Sequence, residues 1–176
     1  MSETKTPAQT DAKARAMNDA AAKLVKKSAA RLGAVQALYQ MDLAQTPIND
    51  IFAEFESHWL GQEVEGTQMP EADVKLFRAV VEGALNDQRR IDPMIDNALS
   101  SGWPLKRVEA VLRAVLRAGT AELVCRPTVP ARVVIAEYVN VAGAFLDRDE
   151  TGMVNAVLDA LARDLRPGEF SGSGAA

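Results

Sequence analysis

The sequence predicts an all-α fold, organised as a single compact domain of about seven helices, and three observations predict it. Hydrophobic residues make up 48% of the 176-residue chain, whereas aromatic residues make up only 5%. Alanine and leucine are abundant and β-branched residues seldom alternate with polar ones, which favours helices packed on helices. Apolar residues recur at intervals of three and four in stretches of roughly 10 to 18 residues, separated by short polar or proline-containing turns.

The first two helices are predicted before residue 60. The stretch 26–43, KKSAARLGAVQALYQMDL, belongs to the first helix. Its core-facing stripe is Leu32, Val35, Leu38 and, less regularly, Tyr39. Thr46 and Pro47 are expected to be the N-cap and the first position of the second helix, because proline is tolerated there. The apolar face of that helix is Ile48, Ile51, Phe52, Phe55 and Trp59.

The third and fourth helices follow the polar turn GQEVEGTQMP. Asp92 before Pro93 is expected to begin the fourth helix, and SSGWP ends it. The apolar faces are Val74, Phe77, Val80, Val81, Ala84 and Leu85 for the third helix, and Ile91, Met94, Ile95, Ala98 and Leu99 for the fourth.

The last three helices are separated by the segments CRPTVP and DRDETG. The fifth is expected to start near Leu105, the sixth to run over 131–146, and the seventh to follow DRDETG. Gly119 is expected to permit the close approach of a neighbouring helix. The apolar face of the fifth helix is Val108, Val111, Leu112, Val115, Leu116 and Leu123. That of the sixth is Val134, Ile135, Tyr138, Val141, Ala142 and Phe145, and that of the seventh is Met153, Val154, Val157, Leu158, Leu161 and Leu165.

The chain divides into one domain and two tails. Residues 1–24 are polar and are expected to be a disordered or frayed tail, the later half of which can extend the first helix. Residues 25–166 are the predicted helical domain. The end of the chain, 167–176, is rich in glycine and serine and is expected to be flexible.

Positive charge is concentrated at the start of a chain whose formal net charge is −4. Residues 1–31 carry seven Lys and Arg against three acids, whereas residues 32–70 carry six acids and no Lys or Arg. Lys26, Lys27 and Arg31 crowd the start of a helix, where the unpaired N–H groups already disfavour cations. This placement suggests a role other than helix stability.

The sequence gives poor support to an enzyme and predicts no cofactor and no metal. No glycine-rich phosphate loop, zinc motif or activated-serine motif is present. The single cysteine, Cys125, and the single histidine, His58, cannot build a disulfide or a metal cluster alone, which fits a reducing cytoplasm. The acids Asp147, Asp149 and Glu150 are expected to cap a helix or to be solvated. No apolar run approaches the roughly 20 residues that would span a membrane.

Three stretches make the chain resemble the NusB family of bacterial transcription antitermination factors, from Ala29 to about residue 163. AARLGAVQALYQMDL resembles the family opening A-R-x-x-A-V-Q-A-L-Y, and VLRAVLRAGTAEL contains the pattern L-R-x-G-x-x-E-L. VPARVVIAEYVNVAGAF and then MVNAVLD resemble V-P-x-x-V-x-I-N-E and F-V-N-G-V-L-D. The three stretches occur in the family's order and spacing.

The resemblance implies a fold of two small helical bundles without catalytic activity. It implies binding of a single-stranded RNA element called boxA, together with NusE, which is also a protein of the small ribosomal subunit. In the family, the pair helps RNA polymerase read through ribosomal RNA operons as part of an antitermination complex. The family includes monomers and dimers, so the sequence leaves a homodimer open.

The RNA-binding residues that these arguments suggest lie within or close to the first and third stretches. They are Lys26, Lys27, Arg31, Gln36, Tyr39, Asp149, Met153 and Asn155. The cations would meet phosphates, although a solvated helix face is the alternative. Gln36 is either an amide that reads a base or plain helix surface, and Tyr39 is either a stacking platform or part of the core. Met153 replaces the family phenylalanine, so weaker RNA binding is expected.

Partner binding is expected on the fifth helix. In the family an acidic residue there approaches the partner, but the matching position in this chain is Leu112, which the apolar pattern directs to the core. Glu109 could take that role with Lys106 and Arg113 beside it, although these residues could equally form solvated charge pairs. The motif residues Arg117 and Glu122 are candidates for a buried pair that joins helices.

Two functions therefore compete. The first is an RNA-binding antitermination factor that acts with NusE. The second is a helical adaptor of the same fold that binds proteins and has weak or lost RNA binding. A third candidate is a fragment of an RNA methyltransferase, because some of these enzymes carry a similar helical module. The sequence does not favour it, since no α/β domain with a glycine-rich cofactor loop is expected after residue 165.

Overall fold

The computed structural model describes residues 7–61, 63–64, 67–68, 71–99 and 103–172. The predicted all-α fold is confirmed, with seven α-helices in the described part of the chain. They are α1 Pro7–Ala44, α2 Ile48–Glu54, α3 Val74–Asn86, α4 Gln88–Ala98, α5 Ala110–Cys125, α6 Ala131–Gly143 and α7 Arg148–Leu165. A π-helical turn, Phe55–Trp59, continues α2, and 3-10 turns cover Leu105–Arg107 and Pro167–Glu169. The strands β1 Glu63–Val64 and β2 Thr67–Gln68 form an antiparallel pair within the predicted polar turn.

Helix α5 is the centre of the molecule. It packs against α1, α3, α4, α6 and α7. Most of its side chains are buried, including Leu112, as the apolar pattern predicted. A Cβ atom on Gly119 would lie 2.9 Å from Cδ1 of Leu158, so the absence of a side chain allows α5 and α7 to approach closely.

Most of the predicted apolar faces form this core, but Val74, predicted on the third helix, is 38% exposed, and Phe145 is a second exception. Phe145 was placed on the buried face of the sixth helix, but its exposed fraction is 44%. Helix α6 ends at Gly143, so Phe145 lies in the turn before α7 and not on a helical face. The prediction for Phe145 is therefore wrong because the helix is shorter than the periodicity suggested. The side chain of Trp59, also placed on an apolar face, lies outside the described part.

The fourth helix begins earlier than predicted. Its first residue is Gln88, and Pro93 lies inside the helix instead of at its start. The carboxylate of Asp92 is not an N-cap, because it accepts hydrogen bonds from Nε and Nη2 of Arg117 at 2.9 and 2.8 Å. The proline signal was misleading because this aspartate has a tertiary partner on α5.

The N-caps of α7 and α2 can be compared with their predictions. Asp147 accepts a hydrogen bond from the backbone N–H of Glu150 at 2.8 Å, and the Glu150 carboxylate accepts one from the N–H of Asp147. This capping box confirms the expected N-capping role of the acids in DRDETG. At α2 the cap residue is Pro47 and not Thr46, and no side chain caps the helix.

Both predicted tails contain secondary structure within the described residues. Helix α1 begins at Pro7, and the side chains of residues 14–27 are exposed, so this segment extends α1 without packing on the core. At the other end, the Arg166 guanidinium donates to the carbonyls of Leu123 at 2.7 Å and Arg126 at 3.0 Å. Glu169 accepts a hydrogen bond from the first N–H of α6 at 2.7 Å. These contacts attach residues 166–169 to the domain.

Candidate nucleic-acid interface

Arg31 lies inside the protein and not on the surface where the sequence argument placed it. Its exposed fraction is 3%. Its Nε and Nη2 atoms donate to the two carboxylate oxygens of Glu122 at 3.0 and 2.7 Å. Nη1 lies 3.5 Å from the Glu137 carboxylate, and the Tyr138 hydroxyl donates to Glu122 at 2.8 Å. The predicted phosphate contact by Arg31 is thus corrected: its guanidinium joins α1 to α5 and α6.

The electrostatics of this buried cluster keep Arg31 charged. Burial opposes the charge on Arg31, but the hydrogen bond and the charge of Glu122 outweigh it, so the pKa of Arg31 is raised. Burial first, and then the charge of Glu122, raise the pKa of Tyr138 well above its ordinary value. A bidentate pair of this kind is costly to break, because either partner alone would be a buried charge. Glu122 is therefore structural, as one of the sequence alternatives held.

Arg117 has a similar structural role, but with other partners. Besides its two hydrogen bonds to Asp92, its Nη1 lies 3.4 Å from Asp42 on α1. Burial opposes its charge, but Asp92 and Asp42 outweigh burial and raise the pKa of Arg117. Arg117 and Glu122 each join helices, although they do not pair with each other.

Lys26 and Lys27 lie on the exposed surface of α1, as predicted. The Nζ atom of Lys26 is 2.5 Å from a carboxylate oxygen of Glu71, and both side chains are largely exposed. The hydrogen bond and charge of Lys26 lower the pKa of Glu71. An exposed pair of this kind contributes little and can exchange for another anion. Among the described residues Lys27 has no ion pair or hydrogen bond from its side chain, so its ammonium group is available.

A shallow, mostly apolar groove of about 330 Å³ lies between α1 and α6, and neither of these two lysines lines it. Its α1 wall includes Val25, Ala29 and Leu32, and its α6 wall includes Val141 and Ala144. At its floor, Ser28 on α1 donates a hydrogen bond to Glu137 on α6 at 2.8 Å. The buried Arg31 cluster fixes these same two helices relative to each other. It therefore sets the shape of the groove, although it does not reach the surface.

Gln36 and Tyr39 line a second groove, of about 360 Å³, with Leu43 and Phe55. Both are partly buried. Gln36 follows Lys27 by nine residues, which places it roughly 14 Å further along the axis and on the opposite side of α1. The structure therefore does not bring Gln36 together with Lys27, and a strand that touched both would have to follow the helix surface.

The three candidates on α7 are not on one face. Asp149 is exposed in the first turn, Met153 is partly buried against the core, and Asn155 is exposed. Asp149 and Met153 are four residues apart and share a face, whereas Asn155 lies on the other side of the helix. Asp149 follows Ala144 of the α1–α6 groove by five residues, so their Cα atoms are at most roughly 18 Å apart.

Two surface residues near the junction of α6 and α7 were not among the predicted site residues: Phe145 lies in the turn, and Arg148 is the first residue of α7. Arg148 is exposed, and no ion pair of its side chain occurs with any described residue. Phe145 is the exposed aromatic noted above. Arg148 is the basic residue within DRDETG, and the sequence pattern of that segment indicates only a turn. A cation and an aromatic ring next to the groove suit phosphate and base contacts respectively.

The three candidates for partner binding differ in whether their side chains are exposed or already bound within the protein. Lys106 and Glu109 are exposed before α5. Arg113 is bound within the protein, because its guanidinium donates to Asp42 at 2.7 Å and to the carbonyls of Leu105 and Val108 at 3.2 and 3.0 Å. Arg113 holds the 3-10 turn against α1. Its predicted interface role is therefore corrected to a structural one.

Other chemistry finds little support in the described residues. Within them, no three His, Cys, Asp or Glu side chains are grouped so that they could hold a metal ion. None of the described helices combines the length and the apolar character needed to cross a membrane. Burial, and then the charge of Asp87, raise the pKa of the Cys125 thiol, which disfavours the reactive thiolate.

Comparison with known proteins gives a consistent result. The NusB family model matches residues 28–163. Transcription antitermination protein NusB of Bradyrhizobium diazoefficiens is 66% identical over 140 residues, covering 80% of this chain and 85% of that protein. The solved structure of T. maritima NusB has a TM-score of 0.67 and 25% identity, covering 82% of this chain and 96% of that one. A crystal structure of the antitermination factors NusB and NusE in complex with dsRNA, 24% identical, covers 78% of this chain and 96% of that one with a TM-score of 0.64, and shows likeness of fold. Because the family match extends from the start of the packed part of α1 almost to the end of α7, the chain belongs to the NusB family.

Proposed function

We propose that this protein is a transcription antitermination factor that binds boxA-type single-stranded RNA together with NusE and helps RNA polymerase read through ribosomal RNA operons. The observation that carries the proposal is the pair Lys26 and Lys27, exposed on α1 of a NusB-family chain that is acidic overall. The protein would act in the cytoplasm by binding alone, since the polymerase supplies the catalytic step.

Phosphate contact supplies affinity in this proposal. Each phosphate neutralised on a single strand changes the slope of log affinity against log salt by about −0.7. Lys27 is available, and Lys26 can leave Glu71 for a phosphate because both partners of that pair are exposed. With Arg31 buried, two cations remain from the predicted cluster, and Arg148, the first residue of α7, is a third.

Sequence choice would come from groups other than these cations, because phosphate contacts carry no base information. In this proposal, base edges meet polar groups that line the groove, including Ser28 and Asn140. Partner binding would use Lys106 and Glu109, which are exposed just before the start of α5.

A fluorescence anisotropy titration tests the proposal. A labelled boxA-type RNA is titrated with the protein at several salt concentrations, with and without NusE, beside a scrambled strand and a boxA duplex. We expect tightest binding to the single-stranded boxA RNA with NusE present. The variant Lys26→Ala/Lys27→Ala should reduce the magnitude of the salt slope by about 1.4, the value for two phosphates.

The matched control is Arg89→Ala/Arg90→Ala, which removes two exposed cations from α4. The start of α4 lies beside Leu38 and Asp42, near the opposite end of α1 from Lys27. This variant should leave the slope unchanged. An equal effect of both variants would mean that only net charge matters, and no effect of the lysine variant would remove the lysines from the site.

The second candidate function is the helical adaptor, and two observations favour it. Arg31 is withdrawn from the surface, and Met153 stands where the family has a phenylalanine. An adaptor would bind NusE with an affinity that boxA RNA does not change. If the RNA titration shows no saturable binding while NusE binds, the adaptor function is preferred.

A further inference from the structure

The first helix continues far beyond the part that the family shares. Helix α1 begins at Pro7, whereas the family match begins at residue 28. We call residues 14–27 the α1 extension. All of its side chains are exposed, including Met17 at 63% and Leu24 at 62%. The alanine-rich composition of this segment supports a helix without tertiary contacts.

The cations of the α1 extension lie on one face. Arg15, Lys23, Lys26 and Lys27 are its four cations and Asp19 is its one acid. At roughly 100° per residue, the four cations fall within an arc of roughly 120°. Met17 and Leu24 lie on the opposite face by the same measure. Among the described residues, neither Arg15 nor Lys23 has an ion pair.

We propose that the basic face of the α1 extension is an additional, sequence-independent binding site for the ribose-phosphate backbone of RNA. In this arrangement, Arg15 and Lys23 contact phosphates that flank those met by Lys26 and Lys27. The inference rests on the proposed function, because it lengthens the RNA track of the same site beyond the family's shared domain.

The dimensions fit an extended RNA track. Twelve residues separate Arg15 from Lys27, which is roughly 18 Å along the helix axis. A base-stacked strand advances about 3.4 Å per nucleotide, so the face spans roughly five nucleotides. Because the side chains of the extension do not pack on the core, a strand that lay along its basic face would have to displace the exposed Lys26–Glu71 pair but no core contact of the described residues.

A simpler explanation is that Arg15, Asp19 and Lys23, spaced by four residues, only support the helix and keep it soluble. This explanation assigns Asp19 a stabilising role. In the RNA-binding arrangement, Asp19 lies between two phosphate-binding cations and repels the strand. The two explanations therefore give opposite expectations for Asp19→Ala.

The test uses the full-length protein and two single-stranded RNAs, a short one limited to the boxA element and a longer one with added flanking nucleotides. For Arg15→Ala/Lys23→Ala we expect the salt slope on the longer RNA to decrease in magnitude by about 1.4, which is about a 25-fold loss of affinity at 0.1 M salt relative to 1 M. The short RNA should show a smaller loss. Asp19→Ala should bind the longer RNA several-fold more tightly.

Two controls make the result specific. Arg89→Ala/Arg90→Ala removes two cations at a distance and should bind both RNAs as the unaltered protein does. Met17→Ser/Leu24→Ser alters the opposite face and should also leave RNA binding unchanged. Alanine favours the helix, so circular dichroism should show equal helical content in the charge variants.

The outcomes separate this inference from the proposed function. If the unaltered protein does not bind boxA RNA, the proposed function fails and takes the inference with it. If the protein binds and Arg15→Ala/Lys23→Ala has the same slope and affinity on the longer RNA, the inference alone is overturned. If only Met17→Ser/Leu24→Ser weakens assembly with NusE, the extension is a protein-docking helix and the inference is again overturned.

Discussion

Replacement of Arg31 by methionine should destabilise the protein strongly while having no direct effect on a phosphate contact. The substitution keeps an apolar stem of similar length but removes the group that neutralises Glu122, which is 0% exposed. Glu122 would keep only the hydrogen bond from the Tyr138 hydroxyl, at 2.8 Å. Removing one partner of a buried ion pair costs about 3 to 5 kcal/mol, because the other charge stays buried.

The size of this effect makes it easy to measure. Small domains have a free energy of unfolding of about 5 to 15 kcal/mol, so the loss is a large fraction of the total. With a urea dependence of about 2 kcal/mol per molar, the unfolding midpoint of Arg31→Met should fall by about 1.5 to 2.5 M. The variant Arg31→Lys keeps the charge but loses the two parallel hydrogen bonds, and its loss should be intermediate.

The matched control is Lys27→Met, four residues earlier on the exposed side of the same helix. Its unfolding midpoint should change by no more than about 0.25 M, because exposed substitutions usually change the free energy of unfolding by no more than about 0.5 kcal/mol. If Arg31→Met shifted the midpoint no further than Lys27→Met and instead weakened RNA binding, Arg31 would be a surface ligand. Arg31 would then not join α1 to α5 and α6.

Four further predictions follow from other contacts. Burial raises the pKa of Tyr138, so the unfolded chain loses the hydroxyl proton near pH 10 while the folded protein keeps it. The free energy of unfolding should therefore fall as pH rises above about 10, by up to about 1.4 kcal/mol per pH unit. Urea titrations at alkaline pH should show a smaller fall for Tyr138→Phe. Gly119→Ala should cost about 1 to 3 kcal/mol in thermal unfolding, because the added methyl group would lie 2.9 Å from a leucine of α7. Glu71→Gln should tighten RNA binding several-fold at low salt by freeing Lys26, and an unchanged anisotropy titration would contradict this. Met153→Phe should also tighten RNA binding several-fold, since a stacked base contributes about 1 to 3 kcal/mol; equal affinity would exclude Met153 from the site.

Helical spacing was sufficient to predict the fold because a core-facing stripe is a local property of the sequence. The apolar positions of α5, such as Val115 and Leu116, are buried as their spacing predicted. Capping was predictable where both partners are close in sequence, as in Asp147 and Glu150 at the start of α7. These features need only the geometry of one helix.

The candidate site was harder to predict because its residues have partners far away in the sequence. Arg31 binds Glu122 at a separation of 91 residues, and no local pattern distinguishes this arginine from the exposed lysines before it. Arg113 likewise binds Asp42 at a separation of 71 residues. A helix end also decided the environment of Phe145, since two additional residues of α6 would have kept it in the helix.

Lysine modification measures the central claim most directly, namely that the exposed cations of α1 hold the RNA. The full-length protein is acetylated briefly at low salt with and without saturating boxA RNA, and the modified fraction of each lysine is determined by mass spectrometry. We expect RNA to protect Lys26 and Lys27 and to leave Lys106, on the turn before α5, as reactive as before. If the RNA were bound and Lys27 were modified equally in both samples, the RNA site would have to lie elsewhere on the protein.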